Sequence, residues 1–173
     1  MQTALDVRCF SVDCWTGDVL MASGGTPDLT EAAGAMQSWL RAPRVRDFVA
    51  QWPFLRTWEL AEAHERGDAV AVRWRQLREA VARTAGTALR ELVEAAYEQE
   101  ELRALSPGRG MHWLTFSRRA APPVCRDLPA AMSLRDGRYR VRRPDGRMQD
   151  LDGVAETIAV ILADLPEDVA RQG

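Results

Sequence analysis

AMSLRDGRYRVRRPDGRMQDLDGVAETIAVILADL, residues 131–165, carries two turn signals followed by a helical pattern. Asp136-Gly137 suits a two-residue hairpin turn, and Pro144-Asp145-Gly146 suits a three-residue turn with glycine in the left-handed position. Together they predict antiparallel strands at 131–135, 138–143 and 147–151. Asp152 is a candidate cap for a final helix whose apolar face is Val154, Ile158, Ile161, Leu162 and Leu165. The strand period of two puts Arg138, Arg140 and Arg142 on one face, opposite Tyr139 and Val141. The first turn would set Arg135 against Arg138, two like charges that disfavour pairing, and the second would set Arg140 against Asp150.

The N-terminal end has a similar plan. LDVRCFSVDCW alternates, Thr16-Gly17-Asp18 makes a turn, and VLMA resumes, so residues 5–22 read as a hairpin. Asp28 follows Pro27 as a helix cap, with Glu31 as its capping-box partner. Leu29, Ala32, Ala33, Met36 and Leu40 recur at helical spacing beyond it. The middle of the chain is helical. Val45 to Trp52 stops at Pro53, and Trp58 to Arg66 ends at Gly67. Asp68 caps a longer helix with the seam Val70, Trp74, Leu77 and Val81, and after Gly86 a further helix carries Leu89, Leu92, Val93, Ala96 and Tyr97. The first of these two is rich in arginine and the second in glutamate, so cross-helix ion pairs are expected between them.

SPGRG, residues 106–110, is expected to break the helix, and MHWLTFS to follow as a strand with His112, Leu114 and Phe116 on one face. RRAAPPVCRDLPA, residues 118–130, is too proline-rich for regular structure and is expected to cross the surface as a candidate lid. The fold class is therefore α+β, in one domain spanning 1–173. A β-β-α unit fills 1–42, a helical middle 43–105, and antiparallel strands with a final helix 106–173.

Composition narrows the chemistry. All 23 basic side chains are arginine, and the chain lacks lysine and asparagine alike. The pattern suggests a GC-rich bacterial genome, and it excludes Schiff-base and phosphate-loop lysines. No apolar run approaches the ~20 residues of a membrane span, and MQTALDVRCF lacks a secretory pattern. A cytoplasmic protein is expected, with Cys9, Cys14 and Cys125 reduced. Two histidines without metal-ligand spacing make a zinc site improbable, and no cofactor is expected. Gly108-Arg109-Gly110 precedes a strand, the wrong context for a dinucleotide fingerprint.

Two candidate sites remain. His112 could act as acid or base, with Arg109 orienting an anion; the plainer reading is a structural histidine. His64, at a helix end, is explained by the helix dipole. Residues 118–147 hold nine arginines and three aspartates, a net of +6 against −8 elsewhere. Arg135, Arg138, Arg140 and Arg142 are thus candidate ligand- or partner-binding residues for phosphate, carboxylate or an acidic peptide. The plainer reading is the wet face of a one-sided sheet. Nucleic acid is disfavoured by the net charge of −2 and the lack of a recognised motif.

Five segments carry a family resemblance: ASGGTPDLTEAAGAMQSWL, WPFLRTWELAEAHERGDAVAVRWRQLREA, LRELVEAAYEQEELRAL, HWLTFS and DGRYRV. Across nearly the whole chain the sequence resembles an uncharacterised domain-of-unknown-function family from GC-rich filamentous bacteria, whose members are labelled natural product biosynthesis proteins. The resemblance implies an accessory protein of specialised-metabolite biosynthesis that binds a peptide, carrier or partner enzyme. The alternatives are a small cofactor-independent cyclase or isomerase using His112, and an immunity-type protein that binds a toxin. Neither substrate nor oligomeric state is legible.

Overall fold

The computed structural model describes residues 8–42, 44–84, 86–110, 112–121 and 127–170, with only the backbone of Thr84, Arg135 and Ala170. Helices and two antiparallel sheets make it an α+β protein. Its contacts group into two compact units, one up to Ala69 and one from Val70 onward, so the helical middle is divided between them.

In the first unit β1 (Phe10–Thr16) and β2 (Val19–Thr26) form the expected hairpin, turning at Gly17-Asp18. Val12, Cys14, Met21 and Ala22 point into the core. Strand β2 runs beyond the expected VLMA because a short strand β3 (Leu55–Arg56) pairs with Ser23 and Gly24. A Cβ at Gly24 would lie 2.0 Å from the Phe54 carbonyl oxygen, so only glycine admits that approach.

Helix α1 (Leu29–Trp39) starts at Asp28, whose carboxylate accepts from the Thr30 N–H at 2.7 Å. The capping partner differs from expectation. Glu31 accepts from the Thr26 hydroxyl, and the Asp28 N–H donates to that same hydroxyl oxygen. The packed face differs too: Ala32 and Ala35 are buried, whereas Leu29, Met36 and Leu40 are 61%, 62% and 85% exposed. Small alanines let the helix lie close on the hairpin, and the larger side chains turn outward. Helices α2 (Val45–Gln51) and α3 (Glu59–Arg66, closed by Gly67) complete the unit as expected.

The second unit opens with α4 (Ala69–Thr84), α5 (Thr87–Glu98) and α6 (Glu100–Arg103). Arg78 and Glu94 form the expected cross-helix pair, with the Arg78 guanidinium also 4.2 Å from the Tyr97 ring centre. Five strands follow in a meander: β4 (Ser106–Gly110), β5 (Trp113–Ser117), β6 (Ala130–Ser133), β7 (Tyr139–Arg142) and β8 (Met148–Leu151). Helices α7 (Val154–Ala163) and α8 (Glu167–Ala170) close the chain. One sheet face, through Leu114, Phe116, Tyr139 and Val141, shares a core with Trp74, Leu92 and Ile161.

Three local expectations are corrected. SPGRG is itself a strand, and its proline is tolerated because β4 is a sheet edge. The turn between β6 and β7 is longer than two residues. Ser133 pairs with Tyr139, and the Leu134 N–H donates to the Arg138 carbonyl at 2.7 Å, which leaves Arg135 to Gly137 as a three-residue loop. Asp136 and Gly137 both adopt left-handed φ, 69° and 74°, to close it. The final helix is capped by Gly153, not Asp152.

Candidate anion-binding face

Burial of Tyr139 and Val141 in the core forces Arg140 and Arg142 to the opposite face of β7, with Arg138 at its entrance. Register then defines what lies beside them. Trp113, Met132, Arg140 and Asp150 form one row across four strands, while Ala130, Arg142 and Met148 form the next. Arg140 makes the expected bidentate bond to Asp150, at 2.6 and 2.8 Å. The Arg140 guanidinium holds the Asp150 carboxyl below its ordinary range. Arg142 stands beside fully buried Ala130, and its guanidinium lies 5.5 Å from the Trp113 ring centre.

Two neighbouring arginines serve the fold. Arg143 grips Asp164, the cap of α7, through two bonds of 2.6 and 2.5 Å, and Arg147 pairs with Asp145 inside its own turn. Among the described residues no carboxylate lies within ion-pair distance of Arg138 or Arg142. The expected Arg135–Arg138 confrontation does not arise in the backbone register, since Leu134 stands opposite Arg138. The Arg135 side chain lies outside the described residues.

The segment from Arg118 to Ala130 is tied at both described ends. Arg118 pairs with Asp127 and, at 3.4 Å, with Asp168 of α8. Arg118 also holds the Asp127 carboxyl below its ordinary range. Cys125 and the rest of 122–126, the middle of the candidate lid, fall outside the described residues. Cys9 and Cys14 are free thiols, and burial pushes that of Cys14 up.

His112 does not share the Leu114 face. Strand β5 begins at Trp113, so His112 sits in the β4–β5 turn; it and Arg109, on β4, are both exposed. His64 lies elsewhere, lining a first-unit cavity of about 420 Å3 with Glu65, Trp39 and Met21. No group of three or more His, Cys, Asp or Glu that could hold a metal occurs among the described residues.

Residues 68–172 match the family of unknown function DUF6193. The chain belongs to this family. The matched region takes in the whole five-stranded sheet and its helices, and leaves all but the last two residues of the first unit outside it. No curated protein and no solved structure matches the chain. Among the described residues, no helix is long and apolar enough to cross a membrane.

The arginine row was legible from the strand period. Trp113 as its aromatic neighbour was not, because that contact crosses β6. The strand through Ser106 and Gly108 was hidden because its proline and two glycines read as breakers.

Proposed function

We propose that the protein is a non-catalytic binding protein whose DUF6193 region holds an acidic segment of a partner protein or peptide. The outer face of β7 would make the contact, in an accessory role in natural-product biosynthesis of the kind the family resemblance implies. One observation carries the reading: Arg138 and Arg142 lie on the same open sheet face with no carboxylate at ion-pair distance among the described residues, and the Arg142 guanidinium lies over the Trp113 ring. Arginine forks bind carboxylates in bidentate geometry, and a neighbouring aromatic ring holds the guanidinium ready for it.

A calorimetric titration with hexaglutamate tests this. The wild type is expected to bind it in a salt-dependent manner and to ignore hexalysine. Combined Arg138→Glu and Arg142→Glu substitutions are expected to weaken binding about tenfold or more. Unchanged affinity in that variant would remove the proposal.

A further inference from the structure

Arg73, on α4, has a different environment from the arginines of the sheet. Its Nε is buried and makes no hydrogen bond among the described residues. Burial alone pulls its guanidinium below the ordinary arginine range, with no carboxylate acting against it. Desolvating a cation without a partner is costly. Native proteins leave such a group unpaired chiefly where water, an ion or a ligand completes it.

The surroundings indicate which. Arg73 lines a cavity of about 70 Å3 with Ser106, Gly108, Thr115, Ser117 and Arg119. Strand register builds the wall: Ser106 is opposite Ser117, and Gly108 is opposite Thr115. A Cβ at Gly108 would lie 2.8 Å from the Thr115 hydroxyl, so glycine leaves that hydroxyl its place. The Ser117 hydroxyl accepts from the Arg119 N–H at 3.4 Å. Among the described residues no acidic side chain lines it. The volume exceeds the roughly 10–15 Å3 that one water needs, and falls well short of the ~300 Å3 of a cofactor pocket. Two guanidinium groups and three hydroxyls offer more donors than the two oxygens of a carboxylate can use, and a phosphate presents three acceptor oxygens.

We propose that this cavity binds a phosphate group, free or carried by a small molecule, with Arg73 as its central cation. The site is separate from the acidic-partner face and stands or falls without it. The test is thermal unfolding of the full chain at constant ionic strength, with inorganic phosphate, glycerol phosphate and acetate as probes. Phosphate is expected to raise the wild-type midpoint along a saturable curve. Arg73→Met, which removes the half-buried guanidinium with its unbonded Nε, is expected to fold with an unreduced midpoint and to show no phosphate response. Arg73→Lys, which keeps the charge but loses the fork, is expected to bind about tenfold more weakly or worse.

Ser106→Ala is the second variant, with an expected loss of about threefold or more. The Arg138→Glu, Arg142→Glu protein is expected to keep the full phosphate response, which separates the two sites. Tighter binding of glycerol phosphate assigns a phosphorylated small molecule, and tighter binding of inorganic phosphate assigns the free ion. No saturable response in the wild type, an equal response in Arg73→Met, or acetate binding as tight as phosphate would overturn the proposal.

Discussion

Trp74 is 1% exposed, and its indole N–H is shared between the carbonyls of Arg103 and Leu105, at 3.1 and 2.9 Å. The helical spacing of Val70, Trp74, Leu77 and Val81 made it legible as a core residue. Its bonds to the end of α6 and just beyond it were not, because those contacts span 29 and 31 positions. Trp74→Phe is expected to cost at least about 1–3 kcal/mol in urea denaturation, from the carbonyls left unsatisfied. The residues of α1 teach the opposite lesson. Size and spacing alone favoured Leu29, Met36 and Leu40 for the core, yet the hairpin admits only the alanines at 32 and 35. Leu29→Gln, Met36→Gln and Leu40→Gln are each expected to change stability by less than about 0.5 kcal/mol. Ala35→Leu is expected to cost about 1–3 kcal/mol by overpacking. Equal costs at the two sets of positions would contradict this placement.

At the scale of elements, the β7–β8 connection followed turn chemistry: Pro144-Asp145-Gly146 closes three residues, with Gly146 at φ 85°. It therefore set Arg140 against Asp150 as expected. The preceding connection did not, because Asp136 adopts left-handed φ alongside Gly137 and the loop takes in Arg135 as well. Asp-Gly alone does not distinguish these two closures, and one residue of loop length changes which residue faces Arg138.

The Arg140–Asp150 pair has two measurable consequences. With its carboxyl depressed, Asp150 contributes stability that is present above the ordinary value of 3.8 and lost as pH falls through the depressed one. Side-chain carbonyl NMR is expected to find its midpoint below 3.8 in the wild type and closer to that value in Arg140→Gln. Asp150→Asn releases Arg140 and removes a negative charge from the face. Affinity for hexaglutamate is then expected to rise about two- to fivefold; a fall would mean that Asp150 orders the site.

At the scale of the molecule, composition and turn signals were enough for the α+β class, but the grouping into two units was not legible. The chain passes from one unit to the other at the start of α4, where a helix follows Gly67 without any change in composition. The DUF6193 match covers residues 68–172, the second unit almost entirely, where the local excess of arginine also falls. Charge is thus distributed by element. Arg46 and Arg66 in the first unit are held by Glu62, whereas Arg138 and Arg142 have no such partner among the described residues. The most direct measurement follows the arginine Nε–Hε resonances of nitrogen-labelled protein during titration with hexaglutamate. Saturable shifts at Arg138 and Arg142, with Arg46 and Arg66 unmoved, are the predicted result. Small uniform shifts at every arginine, or movement confined to the first unit, would contradict it.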